Sequence, residues 1–233
     1  MEDLERYGDY TEYEDDIPKG KKNPVVLVLK IMVFVVCFAV IGVFAFRLVL
    51  FNYYPDSMSE PYFTEALKEY CKSNGGEISA KTQELRSPYD DPDVANFFCD
   101  NLIVVDSIGE LQISVRYNNA AIENIKTVLN LDTIDPSDTE LFRFRLYDNY
   151  DRTYEPPIAV VTDELMMYHY YKLVFDEIPF DTEGVDSPEW IRLEVFVKGQ
   201  TAEEPFSKIL IYENHTGYSN FDEVDISLKG ESK

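Results

Sequence analysis

Residues 25–46 read VVLVLKIMVFVVCFAVIGVFAF, 22 positions in which Lys30 is the only charge, and Arg47-Leu-Val-Leu-Phe follows directly. At about 1.5 Å per residue, a helix of that length crosses a hydrocarbon layer of roughly 30 Å. The stretch is therefore expected to be a transmembrane helix, with the lipid bilayer as its partner. A cleaved secretory signal would have a shorter apolar core and a small-residue site after it. RLVLFNYY at residues 47–54 offers no such site, so an uncleaved signal anchor is predicted. Lys30 near the amino end and Arg47 at the carboxyl end can run their stems along the helix and place their charged heads at the interfaces. Tyr53 and Tyr54 stand where amphipathic rings favour the headgroup level. Lys19, Lys21 and Lys22 precede the span, whereas the next cation after Arg47 is Lys68. That bias predicts a cytoplasmic amino terminus and an extracytoplasmic carboxyl-terminal domain. Gly42 is isolated, so no small-xxx-small pairing face is present.

Working outward, residues 1–23 are expected to be a disordered acidic cytoplasmic tail, residues 24–54 the span and its flank, and residues 55–92 a membrane-proximal helix and connector. Residues 93–233 are expected to form an extracytoplasmic β-sandwich. The net charge of the chain is −23. Residues 1–24 hold eight acids and four bases and the span two bases, which leaves −21 on residues 55–233. Phosphate backbones repel such a domain, so no nucleic acid partner is expected. The many acids also serve to keep an exported domain soluble. In the tail, Tyr7, Tyr10 and Tyr13 stand among acids, a setting suited to phosphorylation.

Past the span, Ser59 and Pro61 signal a helix start, Phe63, Ala66, Leu67, Tyr70 and Cys71 recur at helical spacing, and Asn74-Gly-Gly stops the pattern. RSPYDDPD at residues 86–93 is turn-rich. From Asn101 the period changes to two. Residues 102–106 form a short apolar run, and Leu111, Ile113, Val115 and Tyr117 alternate with Gln112, Ser114 and Arg116, with a hairpin across Ser107-Ile-Gly-Glu. Helical spacing returns over residues 119–130. Strands then resume at 141–147, from Thr153 until Pro156-Pro157 disturbs it, at 166–175, 190–198 and 209–212, with a last one at 224–228. Six to eight strands with turns between them predict a mainly β ectodomain, an immunoglobulin-like antiparallel β-sandwich with one or two short helices; a small β-barrel is the alternative.

The fragments Arg116-Tyr-Asn, ending a strand, and FRLYDNYD at residues 144–151 resemble parts of single-span surface proteins of Gram-positive bacteria. The resemblance covers about residues 93–214. It implies the anchored-ectodomain plan and carries no activity.

Chemistry is sparse. The two histidines, His169 and His215, accompany no G-x-S-x-G, H-E-x-x-H, Walker or G-x-G-x-x-G pattern, so nucleophilic, zinc and nucleotide chemistry is not expected. The reading is of a non-enzyme without a cofactor. Loop acids supply candidate Ca²⁺ ligands at Asp90, Asp91 and Asp93, at Asp132, Asp135 and Asp138, and at Asp148, Asn149 and Asp151, none completing an EF-hand. Cys71 and Cys99 both fall on the oxidising side of the expected topology and are a disulfide candidate; closing the 27 residues between them would add roughly 3–4 kcal/mol in the chain-entropy model. Asn214-His-Thr matches the N-glycosylation acceptor. Tyr168, Tyr170, Trp190 and Phe196 are the candidate binding-face aromatics, of a kind suited to protein or glycan contact and equally to a sandwich core. The expected function is that of a membrane-anchored protein presenting an acidic β-sandwich as a protein- or glycan-binding or assembly module. The rivals are a carboxylate-dependent hydrolase of cell-envelope glycans and a membrane sensor with a tyrosine-bearing tail.

Overall fold

The computed structural model describes residues 24–52, 54–85, 97–135, 138, 140–180, 187–200, 203–213 and 221–228. The expectations on residues 1–23 and 86–93 and on Asn214-His-Thr lie outside the described residues. The chain divides into two compact units, one ending at Tyr53 and the other running from Tyr54 to Lys233.

The first unit holds α1 (Pro24–Asn52), 29 residues long. Proline suits a first helical position, where its missing N–H costs no hydrogen bond. Over Pro24–Val49 no residue is buried. The helix is long and apolar enough to cross a membrane.

The second unit is mainly β. Its first hairpin is β2 (Phe97–Val105) and β3 (Glu110–Asn118), joined by a 3-10 turn at Asp106–Ile108 that closes on Gly109. Gly109 has φ of 65°, and a Cβ there would lie 2.7 Å from the Ile178 carbonyl oxygen, so glycine is required twice over. The Asn118 side chain then caps α4 (Asn119–Leu129), accepting from the Ala121 N–H at 3.1 Å. α4 inserts Ala121, Ile122 and Ile125 into the core.

Together with β1 (Glu77–Glu84), β4 (Phe142–Asp148), β5 (Thr153–Tyr154), β6 (Ala159–Leu165), β7 (Tyr168–Phe175), β8 (Trp190–Val197), β9 (Ser207–Glu213) and β10 (Asp222–Ser227), these strands make two antiparallel sheets. The orders are β10-β1-β2-β3-β7-β6 and β5-β4-β8-β9. One apolar core lies between them, built from Leu111, Ile113, Val115 and Tyr117 of β3, Tyr171, Leu173 and Phe175 of β7, Phe142, Phe144 and Leu146 of β4, and Ile191, Leu193, Val195 and Val197 of β8. No ladder joins the sheets into a barrel among the described residues. The six-plus-four order also differs from the four-plus-three order of an immunoglobulin constant domain.

Four local readings change. Residues 77–84 are a strand rather than a connector, because β1 finds its partners, β2 and β10, far along the chain. The strand from Thr153 stops after two residues, and after the two prolines the chain crosses to the other sheet as β6. The helix near Ser59 splits in two, α2 (Asp56–Ser59) and α3 (Glu65–Ser73). The Gln112 side chain takes both the N–H and the carbonyl of Tyr62, each at 2.7 Å, so the longer helix starts only where the Thr64 hydroxyl accepts from Leu67 N–H. Tyr54 packs edge-on against Tyr170 with ring centroids 5.4 Å apart and donates to Asp100 at 2.7 Å. Its ring therefore faces the folded domain instead of standing free as a headgroup anchor.

Residues 54–64 thus form a strap over the outer face of the six-stranded sheet. Beneath it the alternate positions of β3 are polar and buried: Glu110, Gln112, Ser114 and Arg116 are each no more than 1% exposed. Ser114 donates to the Met58 carbonyl at 2.9 Å, Thr64 to Glu110 at 2.6 Å, and Lys172 of β7 to the Glu60 carbonyl. Beyond the strap, α3 closes a second apolar cluster of Leu67 and Cys71 over Ile78, Ala80, Ile103, Val105 and Ile226.

Candidate binding face on the four-stranded sheet

The outer face of the four-stranded sheet is built by alternation. Because β4 and β8 turn Phe142, Phe144, Leu146 and Ile191, Leu193, Val195, Val197 inward, period two turns Arg143, Arg145 and Tyr147 and Trp190, Arg192, Glu194 and Phe196 outward. Register sets the neighbours. Arg143 stands opposite Phe196, Arg145 opposite Glu194 and Tyr147 opposite Arg192. From β9, Lys208 stands opposite Glu194, Leu210 opposite Arg192 and Glu213 opposite Trp190. Four cations therefore share one face with Glu194 and Glu213, and Glu155 reaches Arg145 from β5's end, in a chain whose net charge is −23.

The cations rest on rings. The guanidinium carbons of Arg143 and Arg145 lie 4.4 and 4.9 Å from the Phe196 ring centre, and that of Arg192 lies 4.7 Å from Trp190. Tyr147 and Trp190 form a tilted pair at 5.9 Å. Each cation–ring contact contributes roughly 0.5–2 kcal/mol, depending on desolvation, and it also holds a planar guanidinium at a fixed attitude. Phe196 is buried beneath its two arginines. Glu194, 6% exposed, binds Arg145 through two nitrogens at 2.6 and 2.7 Å and lies 3.7 Å from Lys208, so one carboxylate serves two cations. Arg145 also approaches Glu155 at 4.0 Å. Among the described residues no ion pair engages Arg143 or Arg192, and both are exposed.

The β4–β5 turn positions this face from below. Asp148, fully buried, accepts from Tyr150 N–H, Arg152 N–H, Arg152 Nε and the Tyr154 hydroxyl at 2.7–3.0 Å. Burial and this bond to Asp148 push the Tyr154 hydroxyl pKa up. Asn149 Oδ1 accepts from Glu189 N–H at 2.7 Å and from Trp190 N–H at 3.5 Å, which sets the start of β8 and with it the Trp190 ring. Asp151 accepts from the Tyr147 hydroxyl, and that bond raises the tyrosine's pKa. The three side chains named as Ca²⁺ candidates in this turn thus each accept from protein donors, Asp148 and Asp151 locally and Asn149 from the start of β8. Asp138 likewise holds Lys198 at 2.7 Å. Asp132 and Asp135 lie in the same long connection, and Asp90, Asp91 and Asp93 fall outside the described residues. Among the described residues no group of three or more His, Cys, Asp or Glu side chains is placed to hold a metal ion.

The four candidate aromatics separate two and two. Trp190 and Phe196 belong to the face just described, whereas Tyr168 and Tyr170 lie on the other sheet beside the strap. Tyr170 is 1% exposed, and Tyr168 stacks on the Arg116 guanidinium at 4.5 Å. Neither Tyr170 nor Phe196 is open to solvent, a correction with a plain cause: the strap covers the first and two arginines cover the second. The proposed Cys71–Cys99 bridge is not formed. Cys71, on α3, packs into the outer cluster and Cys99 faces the core between the sheets, so the sheet itself separates them. Burial raises both thiol pKa values. His169 stacks on Tyr117 at 5.1 Å as a packing residue.

A cleft of about 690 Å³ opens between the strap, α3 and β10, its lining including Phe63, Ile103 and Ile226 and the cations Lys68 and Lys72. The residues that sequence reasoning missed are the arginines. Their signal was the pairing, in one register, of two arginine-bearing strands with Trp190 and Phe196.

Compared with protein-family models, with curated proteins and with solved structures, the chain matches none of them.

Proposed function

We propose that this chain is a single-pass membrane protein, amino terminus in the cytoplasm, that presents its β-rich domain outside the membrane as a binding or assembly module, with the outer face of the four-stranded sheet as its contact surface for an anionic partner. The observation that carries the reading is local: a strongly acidic chain gathers Arg143, Arg145, Arg192 and Lys208 with Trp190, Tyr147 and Phe196 on one sheet face. Arg, Trp and Tyr are the residues in which interface energy concentrates. Arg143 and Arg192, already oriented by their rings, have little conformational freedom left to lose on binding. The anchor reading rests on α1 and on the lysines before it.

Two measurements test it together. A membrane-impermeant maleimide applied to intact cells should label Val128→Cys, a position 64% exposed on α4. Crosslinking with mass spectrometry on the same cells should yield a partner with the native chain and lose it with Arg143→Glu/Arg192→Glu. Labelling of Val128→Cys only after permeabilisation would overturn the topology; an unchanged crosslink pattern in the double variant would overturn the surface.

A further inference from the structure

We infer that residues 54–62 are a releasable latch: this part of the strap leaves the six-stranded sheet as a unit, hinged at Phe63, while both apolar clusters of the domain stay closed. The strap contributes nothing to either cluster. None of residues 54–62 belongs to the core between the sheets or to the outer cluster closed by α3. Met58 is their single buried side chain, whereas Asp56, Ser57, Ser59, Glu60 and Tyr62 are exposed. Lifting the strap therefore takes no residue out of either core.

What holds the strap is polar, and most of it is addressed to main chain. Gln112 takes the N–H and the carbonyl of Tyr62, Ser114 the carbonyl of Met58 and Lys172 the carbonyl of Glu60. Tyr54 adds a hydroxyl bond to Asp100 at 2.7 Å, and Ser57 one to Asp163. On release each such bond is exchanged for one to water, so its net contribution is small. Beneath the strap, Asp100, Glu110, Arg116 and Lys172 are each no more than 1% exposed. A charge held out of water costs free energy that hydration returns once the cover lifts. The surface that the strap uncovers thus offsets part of the loss, which an apolar strand face cannot do.

The other end of the strap is fixed. Thr64 caps α3, accepting from Leu67 N–H at 3.0 Å and donating to Glu110 at 2.6 Å. Leu67 and Cys71 seat α3 in the outer cluster, and Phe63 packs against the same cluster. α3 therefore stays on the sheet when the residues before Phe63 leave it. Once free, the four-residue helix α2 is far shorter than an isolated helix needs to persist. Residues 54–62 then become extensible chain, up to roughly 30 Å long, and the latch governs how much free chain follows α1.

Hydrogen–deuterium exchange of the full chain in detergent micelles, read by mass spectrometry, tests the latch. Peptides from residues 56–62 are compared with peptides from 111–117 of β3, a strand paired on both sides. Residues 56–62 should exchange at least about 100-fold faster than 111–117 and slower than free chain, through an opening that mild urea hardly accelerates because it exposes little surface. Gln112→Ala removes both bonds to Tyr62 and should speed exchange of 56–62 about tenfold, with far less effect on 111–117. Val195→Ala, in the core between the sheets, should speed 111–117 and leave 56–62 unchanged. Exchange of 56–62 as slow as that of 111–117, or accelerated in step with it by urea or by Val195→Ala, would overturn the latch, because the strap would then open only with the whole domain. Exchange of 56–62 indifferent to Gln112→Ala, or already at the rate of free chain, would overturn the polar docking on which the latch depends.

Discussion

Arg116→Met cuts at the junction between the strap and the six-stranded sheet. Arg116 is fully buried, its Nε lies 3.5 Å from an Asp100 carboxylate that is 1% exposed, and its guanidinium is sandwiched between Phe98 at 5.2 Å and Tyr168 at 4.5 Å. Methionine keeps much of the stem and removes the charge, leaving Asp100 buried with the Tyr54 hydroxyl as a remaining donor. Removing one partner of a buried ion pair typically costs about 3–5 kcal/mol, because the other charge stays desolvated. For a unit of this size each kcal/mol lowers the melting temperature by about 2–4 °C, so a fall of roughly 10 °C is expected. Thermal unfolding of the full chain in detergent, followed by circular dichroism, measures it. Asp100→Asn on its own should cost a comparable amount, and combining it with Arg116→Met should cost at least about 2 kcal/mol less than the sum, since the two changes remove the same interaction. A fall below about 3 °C for Arg116→Met, or strict additivity of the pair, would refute the argument that this buried pair stabilises the sheet beneath the strap.

Three further outcomes follow from buried groups and backbone. Lys172, its amine donating to the Glu60 carbonyl, has its pKa brought down to about 8 by desolvation, with the Glu60 carboxylate pulling the other way. A cation with a folded pKa below its unfolded value of about 10.4 destabilises the fold at lower pH and is relieved as pH rises through that window, so Lys172→Met should be most stabilising relative to the parent below pH 8, with the difference shrinking by pH 10; a difference constant across that range in parallel melts would contradict it. Gly109→Ala, with φ of 65° and a new Cβ 2.7 Å from the Ile178 oxygen, should cost about 1–3 kcal/mol in urea titration, and a change under ~0.5 kcal/mol would show that the turn can shift. In the folded domain Cys71 and Cys99 should react with a maleimide only under denaturing conditions, each as a free thiol; recovery of a Cys71–Cys99 disulfide peptide from native material would reverse the assignment.

Much of the architecture was legible where one face of an element was uniformly apolar. The 190–198 alternation, the 119–130 helix and the 107–110 hairpin all emerge at the expected places, because each encodes its period within a few residues. β1 and the strap did not. KTQE at residues 81–84 reads as a polar connector, and Gln112, Ser114 and Arg116 read as a solvent face. They become interior only because a segment some fifty residues upstream turns its backbone groups onto them. Polar burial of that kind leaves no hydrophobic period to find. At the candidate site, Trp190 and Phe196 stood out as aromatic residues of β8, yet the chemistry lies in the arginines beside them. Two of those lie on β4, which comes close to β8 only through a long-range pairing, and against 44 acids in the chain their local excess was invisible until register placed them side by side.

The most direct test of the central claim is position-specific photo-crosslinking in intact cells, with a photoreactive amino acid at residue 210, opposite Arg192 and 47% exposed on the proposed face, or at residue 160 on β6, a site 48% exposed on the other sheet. The account predicts a crosslinked partner from position 210 and background alone from position 160. A partner captured from position 160 and not from 210 would place the binding surface on the opposite sheet and contradict the account.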